Sequence, residues 1–148
     1  MAYNNVSSTY KETKVKTASQ GQLIIMLYDE AVRRLNLAIE YLDSNNKNKK
    51  DPGKIELISK AVMKAEEIIT ELMVSLDFDQ GGEIAKNLFS LYTWFNRELL
   101  EANIQHDVTR ITAVRSQLNE LKSAWMEIVA RTSHETTGKV VTGVNIAG

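Results

Sequence analysis

The sequence predicts an all-α fold: an antiparallel up-down four-helix bundle with a flexible N-terminal arm and a disordered C-terminal tail. Three observations carry that expectation. The 148 residues include one proline and seven glycines, too little turn material for a protein of many strands. Apolar residues recur at steps of three and four through four separate segments, the period of a helix with one buried face. The segments are matched in length, roughly 24 residues or about 36 Å each, and short polar stretches join most of them, as antiparallel neighbours require. The division expected is an N-terminal arm over 1–16, a bundle over 17–131 and a tail over 132–148. Within the bundle the helices are placed at about 19–43, 52–77, 82–105 and 107–131.

Residues 1–16 are polar and hold no sustained period, so they read as an arm that orders only against something else. Ser19 and Gln22 then form a capping box, the serine oxygen accepting an orphan amide proton while the glutamine reaches back to the cap amide. Helix one runs from there to about Asp43. A polar loop over 44–53 ends in Asp51-Pro52, where aspartate caps and proline fits the first turn of helix two. Ile55, Ile58, Val62, Ala65, Ile69, Leu72 and Leu76 alternate steps of three and four without a miss. Asp77 to Gly82 breaks the pattern, and helix three resumes with Ile84, Leu88, Leu91, Phe95, Leu99 and Ala102 as its seam. Asp107 caps helix four, whose apolar steps run through Ile111, Val114, Leu118, Leu121, Trp125 and Ile128 and end at about Arg131.

Composition narrows the function before any motif is read. A net charge of −1 supplies no global field for phosphate backbones or anionic lipid. The absence of cysteine removes thiol nucleophiles, disulfides and cysteine-based metal sites, and fits a reducing compartment. The longest apolar run, Leu23 to Tyr28, is far short of the roughly 20 residues a membrane helix needs. The polar N-terminus lacks the apolar stretch of a signal peptide, so the expectation is a soluble, cytoplasmic protein.

The search for chemistry returns little. A di-metal bundle needs Glu-x-x-His pairs on facing helices, and neither His106 nor His134 has a glutamate three residues earlier. Asp77 and Asp79 faintly suggest a calcium loop, but the twelfth position is Leu88 where a bidentate glutamate is required, so the segment reads as a turn. Serines have no His/Asp partner pattern. His106 admits a histidine phosphotransfer reading by fold analogy, against the plainer one of a residue beside a helix cap. Lys47, Lys49, Lys50 and Lys54 read as a solvated loop, with no aromatic interleaved. No catalytic residue, cofactor or metal is therefore expected, and the protein is not expected to be an enzyme.

Helix one is the anomaly. Ile24, Tyr28, Ala31, Leu35, Ala38 and Leu42 form its core stripe, yet Ile25, Val32 and Ile39 flank one side and Leu23, Leu27 and Tyr41 the other. Apolar groups cover about 200° of arc, where a bundle helix needs little more than 100°. Three things can hide the excess: the arm or tail folded over it, a second copy in a constitutive dimer, or a partner's amphipathic helix lying in a groove. Met26, Met63, Met73 and Met126 can lend such a groove adaptability or simply fill the core.

The run from Tyr10 through Val15-Lys16-Thr17-Ala18-Ser19-Gln20 to Met26-Leu27-Tyr28-Asp29 resembles the N-terminal signature of the FliS family of flagellin-export chaperones. A second block is similar to that family's pattern, Gly81-Gly82-Glu83-Ile84-Ala85-Lys86-Asn87-Leu88 with Leu91-Tyr92 and then Leu99-Leu100-Glu101-Ala102-Asn103, and Trp125 matches as well. The likeness spans about residues 10–128, with Gln20 where the family usually has proline and Glu30 where it usually has glycine. The charge at Glu30 implies that a partner helix passes differently there. The resemblance implies a cytoplasmic, non-enzymatic bundle that binds the disordered C-terminal segment of flagellin and prevents its premature polymerisation. It further implies delivery of the cargo-loaded complex to the flagellar type III export apparatus at the gate component FlhA. The partner-binding residues expected are Ile25, Val32 and Ile39 as an exposed flank, with Tyr10, Leu27, Tyr28, Leu91 and Tyr92 at groove edges; each has a competing reading as core, which is the better one for Leu91 and Tyr92 beside the helix-three seam. Tyr10 and Val15 are expected to anchor the arm over part of the groove until cargo displaces it. Asn87 and Asn103 either bond an extended backbone or cap local turns. A homodimer is the alternative use of the same flank.

Overall fold

A computed structural model describes the backbone of residues 20–47 and 51–147, and the side chains of 20–45 and 51–132. Four helices follow in order: α1 over Gln20–Lys47, α2 over Pro52–Val74, α3 over Phe78–Gln105 and α4 over Val108–Ala147. There is no strand among the described residues. The all-α, up-down four-helix expectation is met, and the helix boundaries differ from those expected in ways the local chemistry explains.

α1 continues past Asp43 to Lys47. The buried Asn45 is the reason: its side-chain oxygen accepts the backbone N–H of Asp51 at 2.8 Å, tying the polar segment to the start of the next helix. Asp51 caps α2 as expected, its carboxylate accepting the Gly53 N–H at 2.9 Å with Pro52 in the first turn. α2 stops at Val74, before the expected end at 77, because Ser75 turns the chain and donates its hydroxyl to the Leu72 carbonyl at 2.8 Å. Asp77 then caps one turn, accepting the N–H groups of Asp79 and Gln80 at 3.0 Å. Gly82, at φ 49° and ψ −124°, interrupts α3 after that turn, which is the break the sequence marks between 77 and 82. The acidic turn is a helix cap. Asp107 caps α4 by accepting from Thr109 N–H at 3.0 Å. α4 itself runs to Ala147, beyond the expected end at Arg131 and through the segment assigned to the tail. No proline lies in that stretch to remove a backbone bond, so the helix propagates although its apolar steps have ended.

The chain divides into two compact units. One, Leu27–Glu120, holds most of α1, all of α2 and α3 and the first part of α4, and it contains every residue of the core. The other takes in residues 20–26 and 121–147 among those described, and its side chains up to Thr132 are half-buried or exposed. Within the first unit the inward stripe of α1 is Tyr28, Ala31, Val32, Leu35, Ala38 and Leu42, and that of α2 is Ile58, Ala61, Val62, Ala65, Ile68, Ile69 and Leu72. On α3 the buried positions are Ala85, Tyr92, Phe95, Leu99 and Ala102, and on α4 they are Ile111, Val114 and Leu118. Each fully buried aliphatic or aromatic side chain contributes about 1.5–3 kcal/mol, and this shared stripe holds the unit together. The seam expected on α3 is corrected at its start. Ile84 is 71% exposed, and Ala85, one residue on, is buried.

Polar bonds fix the register of α2 against α3. The Ser59 hydroxyl donates to Asn103 Oδ1 at 3.0 Å, and Asn96 Nδ2 donates to Thr70 Oγ1 at 3.2 Å. As one number rises the other falls, so the two helices run antiparallel. Arg115 donates to Asn36 Oδ1 at 3.1 Å between α4 and α1, and Arg110 pairs with Glu98 between α4 and α3.

Candidate functional site

The residues expected to meet a partner are not brought together as an exposed strip. Tyr28 and Tyr92 are completely buried and their hydroxyls hydrogen-bond to each other, with ring centroids 6.3 Å apart. Burial, reinforced by the neighbouring Tyr28 hydroxyl, pushes the Tyr92 phenol well above its ordinary range, so both rings stay neutral core members. Val32 is a correction as well: at 7% exposure it belongs to the core stripe. Ile25, Leu27, Ile39 and Leu91 are half-buried. Tyr10 and Val15 lie outside the described residues. The wide apolar arc of α1 is thus partly taken up by the protein itself: Tyr28, Val32 and Leu35 are buried, and Ile25, Leu27 and Ile39 are half-buried.

Glu30, the charged departure near that helix's start, is neutralised within α1. Arg33 approaches its carboxylate at 3.0 Å and Arg34 at 2.9 Å, one turn away. The hydrogen bond from Arg33 holds the Glu30 carboxyl below its ordinary value; partial burial opposes this and Arg34 adds to the lowering. Asn103 Oδ1 accepts the Ser59 hydroxyl, a bond between α2 and α3. Asn87 is exposed. His106 ends α3 in a left-handed conformation at φ 55°, a cap geometry, and is not presented along a helix face as a phosphotransfer histidine would be.

Met26, Leu57, Ile84, Met126 and Ile128 are exposed singly, while a run of exposed apolar residues lies along the α2–α3 seam. Met63 is 54% exposed and Val74 80% on α2, while Phe89 and Leu100 are about half exposed on α3 and Ile104 more so. Taking 100° per residue, Met63, Thr70 and Val74 fall within about 40° of each other on α2, and Phe89, Asn96 and Leu100 within about 40° on α3. Both ridges read apolar, polar, apolar over the same spacing. The antiparallel register places Met63 and Leu100 towards one end, Val74 and Phe89 towards the other, and the Thr70–Asn96 bond between them. Phe78 extends the second end, its ring meeting Phe89 edge-on at 5.9 Å.

The middle of this strip is polar and incompletely satisfied. Glu66, one turn before Thr70, and Asn96 each bury a side-chain oxygen, Glu66 Oε1 and Asn96 Oδ1, that has no hydrogen-bond partner. Burial raises the Glu66 carboxyl above its ordinary value, and no cation of the described residues pairs with it. No group of His, Asp and Glu among the described residues is arranged to hold a metal ion, and no helix there is long and apolar enough to cross a membrane. What the arrangement offers is therefore adhesion: a long apolar strip between two antiparallel helices, interrupted at its centre by the polar Thr70–Asn96 bond.

Sequence reasoning missed Phe89, Leu100, Ile104 and Val74. The signal was present on α3, where Phe89, Leu100 and Ile104 fall off the inward seam yet share one side, a second apolar ridge as marked as the flank of α1.

Comparison with known proteins adds a separate line of observation. A family model described as Flagellar protein FliS matches residues 2–132. The flagellar secretion chaperone FliS of Salmonella typhimurium is 36% identical over 135 residues, covering 90% of this chain and 92% of its own. That of Escherichia coli K12 is 35% identical over 116 residues, covering 78% of this chain and 80% of its own. That of Bacillus subtilis is 26% identical over 129 residues, covering 87% and 90%.

Proposed function

The chain belongs to the FliS family of flagellar proteins, and from that premise we propose that it binds the C-terminal segment of flagellin along the α2–α3 strip. Its broad role is that of a flagellar secretion chaperone, and it is not an enzyme. The observation that carries the finer reading is the exposed apolar strip of Met63, Val74, Phe89, Leu100 and Ile104, a surface a soluble protein keeps only where something covers it.

The mechanism follows from what an unfolded amphipathic segment gains there. Free in the cytoplasm, such a segment exposes apolar side chains that drive it into premature assembly. Laid in the groove between α2 and α3 it folds as a helix, buries its apolar face against the two ridges and gives up conformational entropy worth roughly 2–5 kcal/mol. The net affinity is the remainder, so cargo is held firmly and still released. The loaded complex is then delivered to the type III export apparatus through FlhA. Glu30, already paired within its own helix, presents no free charge to a passing cargo helix.

Calorimetric titration of the full chain with the C-terminal segment of the flagellin encoded in the same genome tests this. Saturable binding with a negative heat-capacity change, accompanied by a gain of helix in the segment, is expected. No binding, or binding unaffected by charge placed on the strip, removes the reading.

A further inference from the structure

The α2–α3 strip is even in its apolar pattern and uneven in its charge. Exposed apolar residues stand at both ends, Met63 and Leu100 at one, Val74, Phe78 and Phe89 at the other. The charged residues around them are not shared out in the same way. From residue 65 to residue 85, through the second half of α2, the connection and the start of α3, the chain carries six carboxylates and no lysine or arginine. Around the first end, Lys54, Lys60, Lys64 and Arg97 are mixed with Glu56, Glu98 and Glu101, so the charge there nearly cancels. Local pairing does not remove the difference. Lys64 and Lys86 bracket the acidic stretch and pair at the surface with Glu67 at 3.3 Å and Glu83 at 3.5 Å, which leaves more carboxylates than cations. Two of those carboxylates, the exposed Asp77 and Asp79, stand on either side of the exposed Phe78 in the chain.

We propose that the strip receives the flagellin segment in one direction, with the segment's lysines and arginines at the end that lies over Phe78 and Phe89. This rests on the reading that cargo occupies the α2–α3 strip, and it names the chemistry of that cargo and the way it points. Apolar contact alone does not choose a direction, because both ridges read apolar, polar, apolar from either end. Charge does. A basic side chain laid over the edge-on Phe78–Phe89 pair finds two kinds of partner there. Its aliphatic stem packs on ring surface, where an aromatic face also attracts a cation, and its charged head meets the exposed carboxylates of Asp79 and Glu83. Turned end for end, the same segment sets its cations among Lys60, Lys64 and Arg97 and leaves the acidic end with no counter-charge. A segment with acidic residues at the Phe78 end is refused by like charge, so the apolar ridges supply adhesion and the acidic end supplies selection.

The test uses the full chain and the C-terminal segment of the flagellin encoded in the same genome. Two double variants remove the same amount of charge from exposed positions, Asp79→Asn with Glu83→Gln at the acidic end and Glu56→Gln with Glu101→Gln at the other. The first is expected to weaken binding roughly fivefold at low salt, with the loss shrinking towards nothing at about 1 M, and the second to stay within about twofold of the parent. Direction is read separately. The chain has no cysteine, so Gln80→Cys and Gln105→Cys each place a single nitroxide label at one end of the strip. The label at residue 80 should broaden the amide signals of the segment's basic stretch, and the label at residue 105 those of its other end. Equal losses from the two double variants, or a basic stretch found beside residue 105, overturn the proposal, and with Leu100→Asp still abolishing binding they leave the cargo strip standing. Tight binding of a segment stripped of its lysines and arginines does the same. Binding insensitive to Leu100→Asp overturns the strip and its direction together. A dimer of the free protein that Leu100→Asp dissociates puts a second copy on the strip, and also overturns the proposal.

Discussion

Tyr28 and Tyr92 show how the identity of a residue and its role part company. Both look like amphipathic groove-edge residues in sequence, and both are spent on a hydroxyl-to-hydroxyl bond inside the core. Removing the Tyr28 hydroxyl leaves that of Tyr92 buried without its partner, so Tyr28→Phe should destabilise the protein by about 1–3 kcal/mol in denaturant titration. Glu66 gives a prediction with a sign in pH. Its folded-state value is raised above 4.5 by burial, so in the window between the two values the folded protein holds more protons than the unfolded one. The stability it allows is fully present below the unfolded value and is lost as pH rises through the folded one. Glu66→Gln, which cannot ionise, should therefore raise the thermal midpoint at pH 7, with the gain fading as the pH falls to about 4. Glu30 runs the other way: its lowered carboxyl contributes stability above the unfolded value that is lost as pH falls through the folded one. Because its partners Arg33 and Arg34 are solvent-exposed to different degrees, that contribution is small and screened by salt.

At the scale of elements, the ends are set by single residues and the faces by many. Asp51, Asp77 and Asp107 each cap the helix that follows; Asp51 and Asp107 are legible in sequence because an aspartate stands where a polar break meets an apolar period, whereas Asp77 reads there only as part of a turn. Gly82 is different in kind. A Cβ there would meet nothing within 4 Å, so crowding does not require glycine; the positive φ of 49° does. Gly82→Ala should cost about 1–2 kcal/mol from backbone strain alone, read as a lowered unfolding midpoint, with Gly82→Asn costing less. The α3 seam departs from the expected one only in its first half: Phe95, Leu99 and Ala102 are buried as expected, while Ile84 is exposed and Ala85 and Tyr92 take inward positions. The apolar steps of α4 similarly mark where it packs in the first unit, through Leu118, and say nothing of where its backbone hydrogen bonding ends.

For the whole molecule the decisive quantity is where apolar surface is left over. A chain of net charge −1 has no long-range field to gather a partner, so recognition falls to contact surfaces. The strip between α2 and α3 is the one whose two sides match in spacing. Leu100, 53% exposed there, is the most informative position. Leu100→Asp should leave folding within about 0.5 kcal/mol of the parent, as surface changes do, while binding of the flagellin segment is lost beyond detection in a micromolar titration. A fall in stability together with binding would instead make Leu100 a structural residue.

The sequence by itself determined the helical class, the number of helices, the aspartate caps at Asp51 and Asp107 and the break over 77–82, because each depends on neighbours no more than a few residues apart. It also carried the family likeness, which needs only order and spacing. Only the tertiary structure decided which apolar faces are spent. Val32 and Tyr92 lie off the expected seams by period, as Phe89 and Leu100 do, yet the first two are buried and the last two exposed, since the fate of each depends on which helix lies beside it, and that follows from packing residues far apart in the chain.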